Sequence, residues 1–324
     1  MATSSHASDD NQTKTFKTFP EFSKLTLADR ERYEELIKDY PPLAEIAFTN
    51  IMQWWDHLGS ASIALFNGNL VISYWLPGDE KMSGLSLVGI NKLDECICLI
   101  FDYLRERGEH PRLVHMPEFM IEHIEYPELF CFENERILDE YVVSLASFFP
   151  LQHMSPVRRG RVRKFLAKMD ESDAVVRSLD LSEEASRQML FDAVGQWPKD
   201  STINRLSKLS KDAMSLSITE AAALGTENIC LFIKGKLHAF MLYHQPHDKR
   251  YIILLQAKVS FAMPYIFDYT VYAWARHLCE QGVTFANLNV DLGAPMLRVV
   301  KLALGPQNFF RKYIVEPAGR TIES

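Results

Sequence analysis

Long hydrophobic runs are missing from this sequence. No window approaches the roughly 18 consecutive apolar residues that a membrane-spanning helix requires. The polar opening, Met1-Ala-Thr-Ser-Ser-His-Ala-Ser-Asp-Asp10, lacks the apolar core of a signal peptide. A soluble, cytoplasmic protein is expected, making at most peripheral contact with a membrane. Cysteine is scarce and odd in number: Cys96, Cys98, Cys131, Cys230 and Cys279. Cys96-Ile-Cys98 has neither zinc-knuckle nor redox-pair spacing, so all five are expected to be reduced core thiols. Net positive charge is also lacking. At −7 the chain as a whole does not attract nucleic acid, and a polyanion would need a local basic patch. His244-Gln-Pro-His247 lies in a polar turn without acidic or cysteine partners, so it is expected at the surface and no metal site is expected. His238 alternates within a strand and reads as structural. No Ser-His-Asp constellation can be picked out.

What is present is a full complement of core-forming residues, 47% hydrophobic over 324 positions, enough for one large or two ordinary domains. After a leader over residues 1–18, expected to be disordered, the spacing predicts helices over 25–38 and 44–57, a hairpin around Asn67-Gly68, a helix over 91–107, a short strand at 113–116, a short helix at 118–124, and strands at 130–132 and 140–145. The second half starts over, with helices over 181–193 and 206–223, a hairpin over 229–243, a strand at 250–258 and a helix over 264–280. Leu65-Phe-Asn-Gly-Asn-Leu70 and Leu231-Phe-Ile-Lys-Gly-Lys-Leu237 mark corresponding hairpins. The repeated order suggests a duplication. Hairpin, strand, long helix, strand, helix, strand is the order of the GNAT acyltransferase fold. The expectation is therefore an α/β protein with mixed sheets: tandem GNAT-like domains over 19–150 and 151–324.

Between the halves lies the most basic segment, over 155–169. Ser155 and Pro156 suit a helix start, and Val162, Phe165, Leu166 and Met169 make an apolar face. Arg158, Arg159, Arg161, Arg163, Lys164 and Lys168 fill the remainder with no acidic residue among them. Such a helix can bind phosphates; a merely solvated face is the alternative.

The closing stretch, from Phe285 to Pro306, reads as strand, turn and helix, followed by a strand over 309–315. Gly293 allows a sharp turn, Pro295 suits a first helical turn, and Gly305-Pro306 ends the helix. Leu297, Val300 and Leu304 share a face expected to pack inward. Arg298 and Lys301 lie one turn apart and could meet one anion. Asp291 at the strand end could cap the helix or serve in a site.

GNAT enzymes cradle the pyrophosphate of CoA in a glycine-containing loop at the start of the long helix. The corresponding loops here are Lys258-Val-Ser-Phe-Ala-Met-Pro264, without glycine, and Ser83-Gly-Leu-Ser-Leu-Val-Gly89, without the pattern. The usual donor pocket is expected to be lost.

Asp139-Glu-Tyr-Val-Val143, Arg161-Val-Arg-Lys-Phe165, Asn287-Leu-Asn-Val-Asp-Leu-Gly293, Leu297-Arg-Val-Val-Lys301, Pro306 and Lys312-Tyr313 together resemble the soluble C-terminal domain of bacterial phosphatidylglycerol lysyltransferases. The likeness covers nearly the whole chain after the leader. That family resembles FemABX peptidyltransferases in pairing GNAT domains. The resemblance implies transfer of an aminoacyl group from aminoacyl-tRNA to a lipid or small-molecule hydroxyl or amine, without a separate cofactor. It nominates Asp291 as base or amine anchor, with Asn289 beside it, and Arg298, Lys301 and Lys258 as phosphate or oxyanion contacts. The sequence departs from the family where Asn289 replaces Glu, Leu288 replaces Arg, and Ala257-Lys258 replaces Glu-Lys. Two alternatives stand beside this reading: an acyl-CoA N-acyltransferase with an atypical loop, and a non-catalytic ligand- or partner-binding protein.

Overall fold

The computed structural model describes residues 15–58, 60–76, 83–169, 173–196 and 204–319. The first half contributes β1 (Ser23–Lys24), α1 (Arg30–Ile37), α2 (Phe48–Leu58), β2 (Ser60–Phe66), β3 (Asn69–Trp75), β4 (Gly84–Val88), α3 (Leu93–Glu106), β5 (Leu113–Pro117), α4 (Glu118–Ile121), β6 (Phe130–Asn134) and β7 (Glu140–Ser144). The β2–β3 hairpin turns on Asn67 and Gly68, both at positive φ, the backbone such a two-residue connection demands. The basic helix is α5 (Pro156–Leu166). After it come β8 (Ala174–Arg177), α6 (Glu184–Gln196), α7 (Asn204–Thr219), α8 (Ala221–Leu224), β9 (Thr226–Ile233), β10 (Lys236–His244), β11 (Tyr251–Val259), α9 (Ile266–Glu280), β12 (Phe285–Asn287), α10 (Pro295–Ala303), β13 (Asn308–Phe310) and β14 (Lys312–Pro317).

These strands form two seven-stranded mixed sheets with one plan. The first runs β1-β2-β3-β4-β5-β14-β6 and the second β13-β7-β12-β11-β10-β9-β8. In each, an antiparallel set ends in one parallel pair, β4–β5 or β11–β12. Next comes a strand from the other half: β14 sits between β5 and β6, and β7 sits between β12 and β13. The halves thus exchange their last strands, and a division at residue 150 separates the sequence halves without separating the sheets.

The leader expected over 1–18 lies mostly outside the described residues. Its last part does not: Phe16 is in the first core, and Thr18 bridges to Leu65. Helix α3 covers the first core through Cys96, Ile97, Ile100 and Phe101. In the second core, α5 packs on α9 through Val162 and Phe165, and the Phe165 ring stacks on Tyr269 at 4.5 Å. Burying each of these side chains contributes about 1.5–3 kcal/mol. Two cysteines depart from expectation: Cys98 and Cys131 are exposed, while Cys96 and Cys230 are buried. His244 is not at the surface either. It ends β10 in the interior, within 3.3 Å of the Thr49 hydroxyl, and burial pushes its pKa down to about 4. No helix among the described residues is long and apolar enough to cross a membrane.

Candidate active site

The strand exchange creates a buried polar centre. Glu140 opens β7 and Lys312 opens β14, and both are fully buried. Lys312 Nζ donates to Glu140 Oε1 at 2.5 Å and to the Leu138 carbonyl at 3.0 Å. Glu140 also accepts from the backbone N–H groups of Ala44 (2.8 Å) and Glu45 (3.1 Å) and from the Asn287 amide. One carboxylate thereby joins both swapped strands, the end of β12 and the segment leading into α2.

Beyond Asn287 the chain turns sharply. Asn289 and Leu292 adopt positive φ, as does Gly293, where a left-handed backbone costs least. The Asn289 amide donates to Asn50 of α2 (3.1 Å) and to the Leu254 carbonyl of β11 (3.4 Å). In this turn Asp291 is buried and heavily engaged. Arg298 clamps it with Nε at 2.7 Å and Nη2 at 3.0 Å, the Gly293 N–H donates at 2.8 Å, and the Tyr141 hydroxyl donates as well. Burial by itself would raise the pKa of Asp291; the donors from Arg298, Tyr141 and Gly293 outweigh it and hold the carboxyl at about 2. Such a carboxylate is a poor base. Its chemistry is to fix Arg298 and Tyr141, and Arg136 adds a donor to the Tyr141 hydroxyl at 3.1 Å.

Lys301 points inward from the next turn of α10. Its amine donates to the carbonyls of Asn289 (3.0 Å) and Val290 (2.5 Å) and lies 5.6 Å from the Tyr141 ring centroid. Burial pushes its pKa down to about 7, the charges of Asp291 and Glu140 recovering only part of the loss. A neutral amine keeps two N–H bonds, enough for both carbonyls, and has a lone pair left to accept a proton.

Of the face of α10 expected to pack inward, only Leu304 does so, against the second core. Leu297 and Val300 are exposed, and Lys301 is the buried residue of the helix. The turn supplies a carboxylate that Arg298 pairs with and two carbonyls that the Lys301 amine satisfies, and this overrides the apolar stripe. The anion that meets Arg298 is Asp291 itself. Lys258, nominated beside it, stands elsewhere. β11 pairs with β12 only through Tyr251–Ile253, and Lys258 lies five residues further on, opposite Phe240, which is about 16 Å along a strand.

The segment that leads into α9, residues 258–265, contains no glycine. Phe261 and Tyr265 take positive φ without being glycine. Asp268 occupies the first turn, paired with Arg158 at 2.9 Å and Arg161 at 3.3 Å. A carboxylate thus stands at the positive end of the α9 dipole. Arg158 is further committed to the Ala303 carbonyl. Arg159, half-buried, donates to the Gln152 carbonyl. Arg163 and Lys164 stay exposed along α5 and Lys168 just beyond its end, and Lys164 lies 5.9 Å from the Tyr265 ring centroid. Arg161, Phe261, Met263, Tyr265, Phe267 and Val300 are among the residues lining a depression of about 370 Å³.

Sequence reasoning used Glu140, Tyr141 and Lys312 only as residues of the resemblance and gave them no role in the site, and it passed over Asp268. A glutamate and a lysine opening otherwise apolar strands, and an aspartate opening an apolar helix, were the available signals.

No protein-family model matches this sequence, and no curated protein matches it. Solved structures do. A conserved protein of unknown function from Bacteroides thetaiotaomicron superposes with a TM-score of 0.71 at 20% identity, covering 91% of this chain and 98% of that one. The C-terminal domain of a protein assigned as a lysylphosphatidylglycerol synthetase in Agrobacterium fabrum gives 0.60 at 14% identity, covering 91% and 93%. L-PGS from Bacillus licheniformis gives 0.55 at 14% identity, covering 95% and 96%. At these identities the likeness is one of fold: this chain is built on the tandem GNAT-like plan of the lysylphosphatidylglycerol synthetase C-terminal domain.

Proposed function

We propose that the protein is an aminoacyltransferase that draws its aminoacyl group from an aminoacyl-tRNA and passes it to a hydroxyl or amine of a lipid or small molecule. The observation that carries this reading is the start of α9. Asp268, Phe261 and Tyr265 stand where a CoA cradle would be, while exposed cations on the neighbouring α5 suit a longer polyanion. The fold likeness to lysylphosphatidylglycerol synthetase domains points the same way.

In the proposed reaction the acceptor oxygen or nitrogen attacks the ester carbonyl, forming the new C–O or C–N bond. Its proton passes to the neutral amine of Lys301, directly or through one water. The bond from the carbonyl carbon to the ribose oxygen breaks, and that oxygen takes the proton back. Asp291 acts as the positioning residue, locking Arg298 and Tyr141 beside the reacting groups. A second reading, a binding protein without turnover, is favoured by Asn289 in place of the family's Glu and by the full engagement of Asp291.

Charge reversal at Arg163, Lys164 and Lys168 together is expected to weaken tRNA binding by about 100-fold and to flatten its salt dependence by about three units of slope. Filter binding across a salt series reads both. All three side chains are exposed, so the fold should survive; unchanged affinity would remove the tRNA donor.

A further inference from the structure

Helix α10 is inside out. Lys301 is buried and Arg298 is clamped by Asp291, while the apolar side chains face solvent: Met296 is 71% exposed, Val299 59%, and Leu297, Val300 and Leu302 are exposed too. Leu292 and Ile137 extend this face. Phe261, 68% exposed, lines the same depression as Val300. A helix with so clear an apolar stripe ordinarily buries it, and a continuous exposed apolar patch marks an interaction surface. Residues 292–306 include neither Asp nor Glu, and the carboxylate that lines the shared depression, Asp268, is buried and paired with both Arg158 and Arg161. Its border is cationic: Arg161 lines the shared depression, Lys164 stands over Tyr265, and Arg158 ties α5 to the end of α10 through the Ala303 carbonyl.

We propose that this face docks on an anionic lipid bilayer, with Met296, Val299 and Phe261 entering the headgroup–acyl boundary and Arg161 and Lys164 meeting lipid phosphates. Exposed Met, Val, Leu and Phe with a Lys/Arg border is the composition of an interfacial helix. A second copy of the chain fits less well, because a two-fold contact through α10 brings two cationic borders together. A layer of anionic headgroups neutralises them. The docking does not depend on the transfer reaction, and its test reads vesicle binding alone.

The full chain would be sedimented with phosphatidylcholine vesicles and with phosphatidylcholine/phosphatidylglycerol vesicles. Binding is expected to the anionic vesicles, weakening with salt. Met296→Glu and Val299→Glu should each reduce it about tenfold while leaving the thermal midpoint unchanged and tRNA affinity within about twofold of the parent. Three results would each overturn the docking: no sedimentation with anionic vesicles, undiminished sedimentation of both Met296→Glu and Val299→Glu, or a dimer in solution that Val299→Glu dissociates while vesicle binding stays absent.

Discussion

Replacing Lys312 with Met is expected to destabilise the fold by about 3–5 kcal/mol, because it leaves the Glu140 carboxylate charged and buried without its cation. Lys312 and Glu140 are both fully buried and touch at 2.5 Å. Each is the first residue of a strand exchanged between the sheets, so the stranded charge sits where the two halves are tied together. The donors left to Glu140 are the N–H groups of Ala44 and Glu45 and the Asn287 amide. They soften the loss without supplying a positive charge. Denaturant unfolding at neutral pH measures it. Adding Glu140→Gln to Lys312→Met should recover part of the loss, since no net buried charge then remains. A single-variant cost below about 1 kcal/mol would mean that the exchange is held by the ladders alone.

The second large effect concerns Lys301. Lys301→Met keeps the length of the side chain and removes the amine, and transfer should fall by about 10²- to 10³-fold, the range expected for loss of a proton acceptor. The sign with pH follows from its pKa, pushed down to about 7. Below that value the amine is protonated and cannot accept, so the rate should drop about tenfold per unit of acidification; above it the rate should level off. Asp291, held at about 2, stays ionised throughout and contributes no limb. Lys301→Arg retains a charge but cannot give it up, so it should be nearly as slow as Lys301→Met and should lose the limb near 7. Retention of more than a third of the parent rate in Lys301→Met would leave Lys301 a structural role only.

Helices, hairpins and the duplicated order were legible because each leaves a local trace, such as the apolar spacing of Leu93, Ile97, Ile100 and Leu104 or the Asn67-Gly68 turn. The strand exchange left none. β7 and β14 read as strands wherever they pair, and nothing local says which sheet receives them. On α10 the apolar period was read correctly, but Leu297 and Val300 face outward while Leu304 packs inward, since direction depends on what the turn at Asn289–Asp291 must have satisfied. The basic character of α5 was plain, whereas the commitment of Arg158 and Arg161 to Asp268 required knowing that α9 packs against it. The absence of glycine from 258–264 was legible too, yet it did not exclude a left-handed backbone, which Phe261 adopts.

The most direct test of the account is which donor gives up its acyl group. The purified protein would be incubated with a pool of labelled aminoacyl-tRNAs and, separately, with labelled acetyl-CoA, each with cell extract as acceptor. The account predicts label moving from tRNA into a lipid or small molecule, slowed in Lys301→Met and in Asp291→Ala, and none moving from acetyl-CoA. Label moving from acetyl-CoA alone would contradict it.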